Sequence, residues 1–335
     1  MNMIPHNKPT LGIEEEEAAL RVIRSGQLSN GDEVRKFENE FCAYLGLPKG
    51  HAVAVTSGSS ALFLSMKILI NDKDTVAIPG YVCSALRNAI EMVNCNIEFL
   101  DIKKYSPNID PNLIKNYSNP VIIPHMYGIP VNILSILDNP IIEDCSHALG
   151  AKINNKFVGT MGRFGIFSFF VTKLMTTGGF GGMVVSKNLD DISEIRNFIE
   201  YDGKVDGKSH FNFQMGNLQA AIGREQLKKI PEFLSRREEI FNQYKDAGFD
   251  LIDSNDSSVK SVRFRALMKT DQPKNLIKKL ISNEITSVMI YNDPIILKYP
   301  EKYPNSFELT ENTISLPIYP SLTDEDVSKI ISSIK

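Results

Sequence analysis

The stretch that decides the fold is residues 165–186, GIFSFFVTKLMTTGGFGGMVVS. Its apolar segments at 165–170 and 183–185 predict two buried strands. Between them lie Lys173 and a glycine-rich loop. A lysine at the end of a buried strand is partly removed from water, which disfavours the ammonium form and frees the amine to attack a carbonyl. The stretch by itself fits a surface lysine followed by a glycine hairpin equally well.

Length and composition exclude several classes of protein. The 335 residues suffice for two domains, and 42% hydrophobic residues allow a sizeable core. A net charge of −3 offers no basic surface, so no nucleic-acid partner is expected. The sequence contains neither a membrane span nor the apolar core of a signal peptide, and the four cysteines lack the spacing of a metal site. We therefore expect a cytoplasmic protein with no membrane contact and no metal.

The segment near residue 58 is a candidate anion site. The strand Ala52–Val55 is followed by Thr-Ser-Gly-Ser-Ser at 56–60 and by an apolar helix over 61–70. Such a strand–turn–helix junction directs backbone N–H groups and hydroxyls at a bound anion. An ordinary turn with a capping serine has the same pattern, so the junction by itself favours the simpler interpretation.

A carboxylate follows another buried strand, which is predicted at 141–142 and followed by Asp144. This position is the edge where open α/β sheets bind ligands, although a helix-capping aspartate would give the same pattern. Strands alternate with helices over 52–186, which predicts a mostly parallel, covered sheet. The serine-rich turn, Asp144 and Lys173 then share one edge of this sheet. That combination fits pyridoxal phosphate.

The remaining pattern divides the chain in two. Two helices, at 215–230 and 232–247, are predicted to be separated by Pro231. After them the pattern changes to short strands that alternate with helices. We therefore predict a large cofactor-binding domain over 1–246 and a small α/β domain over 247–335. Two further local predictions are a short helix at 133–137 and a hairpin turn at Asn154-Asn155.

Four motifs carry a resemblance to a known family. They read VTSGSSAL at 55–62, IEDCSHALGA at 142–151, FSFFVTKLMTTGGFGGM at 167–183 and NFQMGNLQAAIGREQL at 212–227. With these motifs almost the whole chain resembles the DegT/DnrJ/EryC1/StrS family of sugar aminotransferases. The resemblance implies an α/β pyridoxal-phosphate transferase of fold type I, with a mostly parallel central sheet covered by helices and a smaller C-terminal α/β domain.

The resemblance also implies which residues act on the cofactor. Lys173 looks like the lysine that holds pyridoxal phosphate covalently as a Schiff base, the internal aldimine, and that moves the proton. Asp144 matches the partner of the pyridinium nitrogen. His147 occupies the position beside the phenolic oxygen, and Cys83 aligns with the position that usually places an aromatic ring on the cofactor face.

The phosphate-binding positions of the family fall on four residues. Gly58, Ser59 and Ser168 match positions that contact the phosphate within one chain. Asn212 matches an asparagine that reaches the phosphate from the neighbouring subunit. The resemblance therefore implies a homodimer with shared active sites.

Several positions depart from the family. Cys83 replaces the usual aromatic residue, with Tyr81 as a candidate substitute. The usual TTGEGG reads TTGGFGG at 176–182, with one residue more and no glutamate. Gln214 stands where an arginine is usual, and IYNDP at 290–294 replaces a histidine-bearing segment that helps to hold substrate. These departures concern the substrate more than the cofactor.

The resemblance implies an aminotransferase that moves an amino group, from glutamate, to the keto group of a nucleotide-linked sugar for a surface polysaccharide or another glycan. One alternative is a sugar dehydratase of the same family, although such relatives replace the lysine with histidine and this chain keeps Lys173. Another alternative is a regulator that binds pyridoxal phosphate without turnover, because the glycine loop and Cys83 are altered.

Overall fold

The computed structural model of the chain describes residues 3–115, 117–138, 140–290 and 297–335. Strands and α-helices alternate over 52–100, as the sequence predicts, whereas the described residues from 101 to 188 form strands joined by loops and short 3-10 turns. The helices are α1 (Ile13–Ser25), α2 (Asp32–Leu45), α3 (Gly58–Leu69), α4 (Ser84–Met92), α5 (Leu189–Ile199), α6 (Asn217–Asp246), α7 (Pro273–Ser282), α8 (Pro304–Glu311) and α9 (Asp324–Ile334).

The strands form one large and two small sheets. The large sheet has seven strands in the order β1-β9-β8-β5-β4-β2-β3, while β10-β6-β7 and β11-β12 form the small ones. The strands are β1 (Ala52–Val55), β2 (Thr75–Pro79), β3 (Asn96–Leu100), β4 (Val121–Pro124), β5 (Ile141–Asp144), β6 (Lys152–Ile153), β7 (Lys156–Phe157), β8 (Phe164–Ser168), β9 (Gly182–Val185), β10 (Val259–Lys260), β11 (Ala266–Lys269) and β12 (Thr313–Leu316).

The large sheet is mostly parallel, as predicted. Neighbouring strands from β8 through β5, β4 and β2 to β3 run parallel, and β9 runs antiparallel to β8 and to β1. Every residue of β1, β4, β5 and β9 is buried. Helix α3 packs over β1, β8 and β9. Strands β1, β5 and β8 all end at the same edge, which therefore collects the residues that follow them.

Two local predictions are settled by the backbone. The hairpin turn is confirmed: Asn154 and Asn155 have φ of 46° and 62°, which asparagine tolerates well, and they join β6 to β7. The helix at 133–137 is wrong. This segment forms only a turn, in which the Ile136 N–H donates to the Ile133 C=O at 3.0 Å, and burial of both isoleucine side chains holds it there.

The predicted break at Pro231 is also wrong, because α6 is one continuous helix of 30 residues. Proline in a helix costs about 3 kcal/mol through the missing N–H and a steric clash. Ile230 and Phe233 are buried on either side of it, and each such side chain contributes about 1.5–3 kcal/mol by burial. Packing on both sides of the proline therefore outweighs the local penalty.

A second hydrophobic core lies beside the large one. It contains Ile4, Phe241 and Tyr244 together with apolar residues of β11, β12 and α9. The N-terminal segment and the last turns of α6 thus pack with the C-terminal part of the chain. The boundary placed after residue 246 stays a prediction. In the ranges that the structure describes, every helix is too short or too polar to cross a membrane.

Glu143, at the end of β5, is a fully buried carboxylate. It accepts hydrogen bonds from the backbone N–H groups of Gly159 at 2.9 Å, Met161 at 2.7 Å and Gly162 at 2.7 Å. These donors belong to the loop that precedes β8. A buried charge requires such donors, so the carboxylate fixes the path of this loop.

His125 completes the environment of Glu143. Its Nδ1 accepts the Val131 N–H at 3.0 Å, so Nε2 carries the proton and donates to Glu143 at 3.1 Å. Burial raises the pKa of Glu143, but the bonds from His125 and the backbone outweigh it and place that pKa below its usual value. Cys145 Sγ lies within 4.8 Å of both groups, yet the two ring nitrogens and the carboxylate are already hydrogen-bonded. The cluster is therefore structural.

We expect Glu143→Gln to lower the free energy of unfolding by about 3–5 kcal/mol, since it breaks a buried charged network. A carboxyl group with a depressed folded-state pKa stabilises the protein above its unfolded pKa of about 4.3, and this stability is lost as the pH falls through the folded pKa. The difference between the variant and the wild type should thus be full at pH 7 and shrink below about pH 4.

Urea unfolding of the variant and the wild type, at pH 7 and again below about pH 4, measures this difference in the free energy of unfolding. The exposed Glu91, changed to glutamine, is the matched control and should unfold like the wild type. An unchanged urea midpoint for Glu143→Gln at pH 7 would contradict the structural role.

Candidate active site

A cavity of about 350 Å³ opens at the edge where β1, β5 and β8 end. Apolar residues and a small number of polar groups line it, as in most small-molecule sites. It brings together seven of the residues predicted from the sequence, namely Gly58, Ser59, Cys83, Asp144, His147, Ser168 and Lys173.

The candidate anion site falls on the first turn of α3. Ser57 caps the helix, and its Oγ accepts the Ser60 N–H at 3.1 Å. Gly58 and Ser59 are the first two helical residues, whose N–H groups have no partner inside a helix. A Cβ at Gly58 would lie only 2.7 Å from the Cβ of Ser168. Glycine is therefore required here, because it lets the end of β8 and its serine approach the helix N-terminus.

Asp144 is the last residue of β5 and is 6% exposed. Its Oδ1 accepts the Ser146 N–H at 2.9 Å, and its C=O accepts the His125 N–H at 3.0 Å. Hydrogen bonds thus fix both the side chain and the main chain of Asp144. A carboxylate fixed in this way against the cavity can balance a positive charge on a ligand ring.

Lys173 returns to the cavity through a tight turn after β8, in which its N–H donates to the Phe170 C=O at 2.8 Å. Its Nζ lies 5.3 Å from the ring centroid of Phe264. Burial lowers the pKa of the amine below its usual value, while the nearby Asp144 carboxylate acts in the opposite direction. The lowered pKa enlarges the fraction of neutral amine, which is the nucleophilic form.

His147 has a defined tautomer. Its Nδ1 accepts the Tyr127 N–H at 3.4 Å, so the proton lies on Nε2. The imidazole stacks on Phe264 with a centroid distance of 4.2 Å and lies nearly parallel to the Tyr127 ring at 5.9 Å. Burial lowers the pKa of His147 well below its usual value, and the Lys173 charge adds to this effect. The ring is therefore a neutral hydrogen-bond donor.

Cys83 and Tyr81 have different surroundings. Cys83 is the N-cap of α4 and lines the cavity, and burial, with Asp144 nearby, raises the pKa of its thiol. Tyr81 is fully buried, does not line the cavity, and bonds its hydroxyl to that of Tyr127 at 2.8 Å. The structure therefore places Cys83, and not Tyr81, where a ligand would lie.

Asn212 is exposed and lies outside the cavity of its own chain. Its Oδ1 accepts the Gln214 N–H at 3.3 Å, so it has only a local contact. The assignment across a subunit interface stays a prediction. Most of the segment at 290–294 that departs from the family lies outside the described residues, since these stop at 290 and resume at 297.

Three aromatic residues at the site were not singled out from the sequence. Phe170 and Phe180 pack together at the mouth of the cavity, with ring centroids 5.4 Å apart. The extra residue in the glycine loop was a signal for Phe180. Phe264 approaches His147 from a distant part of the chain, and no local pattern indicates that contact.

We expect Gly58→Ala to weaken pyridoxal phosphate binding about 10- to 100-fold, the equivalent of one hydrogen bond to a charged group. The added methyl group would push Ser168 or the start of α3 away from the phosphate. A titration of the cofactor against the purified protein measures this change. Ser59→Ala keeps the backbone and should lose about fivefold; an affinity of Gly58→Ala equal to that of the wild type would contradict the assignment.

Comparison with known proteins identifies relatives along the whole chain. The chain is 30% identical to GDP-perosamine synthase of Escherichia coli O157:H7, covering 100% of this chain and 98% of that protein. It is 28% identical to dTDP-4-dehydro-2,3,6-trideoxy-D-glucose 4-aminotransferase of Saccharopolyspora spinosa, covering 98% and 95%.

The fold also matches solved structures. The PLP form of the putative sugar aminotransferase Spr1654 of Streptococcus pneumoniae superposes with a TM-score of 0.91 at 22% identity, covering 99% of this chain and 98% of that chain. The predicted fold type I architecture is thus confirmed. The family model of the DegT/DnrJ/EryC1/StrS aminotransferases matches residues 9–335. Since that match spans nearly the whole sequence, this chain belongs to the DegT/DnrJ/EryC1/StrS aminotransferase family, which confirms the predicted enzyme class and its pyridoxal phosphate cofactor.

Proposed function

We propose that this enzyme transfers an amino group from glutamate to the keto group of a nucleotide-linked sugar, for a surface polysaccharide or another glycan made in the cytoplasm. The names of two relatives, a GDP-sugar synthase and a dTDP-sugar aminotransferase, support the sugar substrate. The observation that carries the proposal is the single cavity in which Lys173, Asp144 and the anion site at the start of α3 converge.

The residues of the cavity fit pyridoxal phosphate. The N–H groups of Gly58 and Ser59, with the Ser168 hydroxyl, suit the phosphate. The carboxylate of Asp144 suits the ring nitrogen, and the Nε2–H of His147 suits the phenolic oxygen. Each chemical group of the cofactor thus has a partner of the matching kind.

When bound, pyridoxal phosphate supplies a conjugated ring that draws electrons away from the substrate carbon. Asp144 holds the proton of the ring nitrogen by its charge. Lys173 is the base, because burial lowers the pKa of its amine and lets Nζ accept a proton and return it. His147 orients the ring by donation from Nε2. The apolar lining keeps water away from these groups.

The size of the cavity indicates where the substrate extends. A volume of about 350 Å³ lies near the lower limit of ligand pockets, which run from about 300 to 1,000 Å³. It suits the cofactor with a small reacting group, so we place the nucleotide part outside the mouth. Phe170 and Phe180 are exposed there and offer apolar faces to it.

A second copy of the chain is the proposed partner. Ile13, Leu20 and Ile23 are exposed on α1, although the opposite face of that helix packs against α6. Exposed apolar residues that cluster on one helix indicate a contact surface. A neighbouring subunit that covers this surface would also give the exposed Asn212 a site to reach.

The proposed chemistry requires Lys173. We expect the purified protein to be yellow, borohydride to fix the cofactor on Lys173, and glutamate with a keto nucleotide sugar to yield an amino sugar detected by mass. Lys173→Ala should lose the reducible bond and all turnover, since no other amine replaces Nζ. The exposed Lys187, changed to alanine, is the matched control and should behave like the wild type. A Lys173→Ala protein that keeps the reducible bond would contradict the assignment.

The shared active site is tested with mixed dimers. Chains carrying Lys173→Ala and chains carrying Asn212→Ala should recover about a quarter of the wild-type sites on random exchange, because half of the dimers are mixed and each has one intact site. Lys173→Ala mixed with Asp144→Asn is the control and should recover none, since both residues belong to one chain's cavity. Absence of recovery in the first mixture, with exchange shown independently, would place Asn212 outside the partner's site.

A further inference from the structure

We propose that Phe264 is a positioning residue that fixes the ring plane of His147 and shields one face of its imidazole from water. Phe264 is 3% exposed and does not line the cavity, so it acts through another residue. Its ring lies 4.2 Å from the imidazole of His147, centroid to centroid, at an interplanar angle of 17°. The inference rests on the proposed function only for the contact of His147 with the cofactor.

The backbone places both rings together. The Phe264 N–H donates to the Tyr127 C=O at 3.2 Å, and the Val262 N–H donates to the Gly128 C=O at 2.9 Å. The N–H of the same Tyr127 donates to Nδ1 of His147 at 3.4 Å. Tyr127 therefore accepts a hydrogen bond from the Phe264 backbone through its C=O and sets the tautomer of His147 through its N–H. A displacement of the segment at 262–264 would disturb both contacts.

Tyr127 is held in an unusual conformation. Its φ is 58°, in the left-handed region that non-glycine residues seldom occupy, and its side chain is 2% exposed. The hydroxyl bonds to that of Tyr81 at 2.8 Å. Buried backbone strain of this kind persists where the surrounding contacts enforce it. The Phe264 backbone bond and the stacked imidazole are two such contacts.

The stacked phenyl face has a chemical consequence for His147. The phenyl ring covers one face of the imidazole and excludes water from that face, while the imidazole N–H lies in the plane of its own ring. With Nδ1 occupied by a donor, the single proton lies on Nε2. The charged groups that act on the imidazole are Lys173, after β8, and Arg265, before β11; both are cationic and disfavour the imidazolium form.

The experiment is an NMR titration of His147 in cofactor-free protein, assigned by loss of its signals in His147→Gln. In the wild type we expect His147 to stay neutral, with the proton on Nε2, from pH 5.5 to 8. Phe264→Leu removes the flat face and admits water to it, so the pKa should rise by about one unit or more toward 6.5. The Tyr127 N–H should still keep the proton of the neutral ring on Nε2. Phe264→Tyr keeps the ring and should restore the wild-type titration.

Phe241→Leu is the matched control. Phe241 is 1% exposed and has Arg263 over its ring at 4.0 Å, much as Phe264 has Arg265 at 4.5 Å. Phe241 belongs to the second hydrophobic core, whereas His147 stacks with Tyr127 and Phe264. Loss of a buried ring beside an arginine should therefore leave the His147 titration unchanged. If Phe264→Leu does not fold, Phe264→Met, which is unbranched and similar in volume, takes its place.

A folded Phe264→Leu or Phe264→Met protein with the wild-type pKa of His147 would overturn the proposal, and so would an equal pKa shift in Phe241→Leu. The cofactor-free measurement is independent of turnover. A wild-type protein that fails to transaminate would overturn the proposed function and leave the NMR result to decide the role of Phe264.

Discussion

The buried carboxylate of Glu143 is the constraint on which the rest of the site depends. A charge without access to water must be surrounded by donors, and here they are three backbone N–H groups of the 159–162 loop and the Nε2–H of His125. That loop leads directly into β8, so the carboxylate determines where β8 begins and where Ser168 ends it. His125 follows β4, and its orientation carries the chain into Tyr127.

Glu143 and Asp144 are consecutive on β5, so their side chains point to opposite faces of the sheet. The face that receives Glu143 is closed by its donors. The opposite face borders the cavity. Asp144 points into the cavity because hydrogen bonds hold the neighbouring Glu143 on the other face. The hydrogen bond that His125 donates to Glu143 also orients the turn after His125, whose Tyr127 N–H donates to His147. One structural charge thus helps to position Asp144 and His147, the two residues that we propose contact the cofactor ring.

The sequence predicts features that arise within short segments, such as strand ends and turns. It does not predict contacts between side chains from distant parts of the chain. The strand ends that bring Gly58, Asp144 and Lys173 to one edge follow from patterns within short segments. So does the Asn154-Asn155 turn. The break at Pro231 failed because burial on both sides of the proline outweighs a local penalty. The contact of Phe264 with His147 joins distant segments through the Tyr127 backbone, and only the folded chain brings them together.

The charged groups that line the cavity favour one orientation of a bound ligand. Burial lowers the pKa of both Lys173 and His147, and Arg265 acts on both in the same sense. The Asp144 carboxylate and the helix N-terminus of α3 line the same cavity. The first attracts a cationic ring nitrogen, and the second attracts an anion. We infer that a ligand with a phosphate at one end and a basic ring nitrogen at the other would bind with its phosphate at α3 and its ring nitrogen at Asp144, in the same cavity as Lys173.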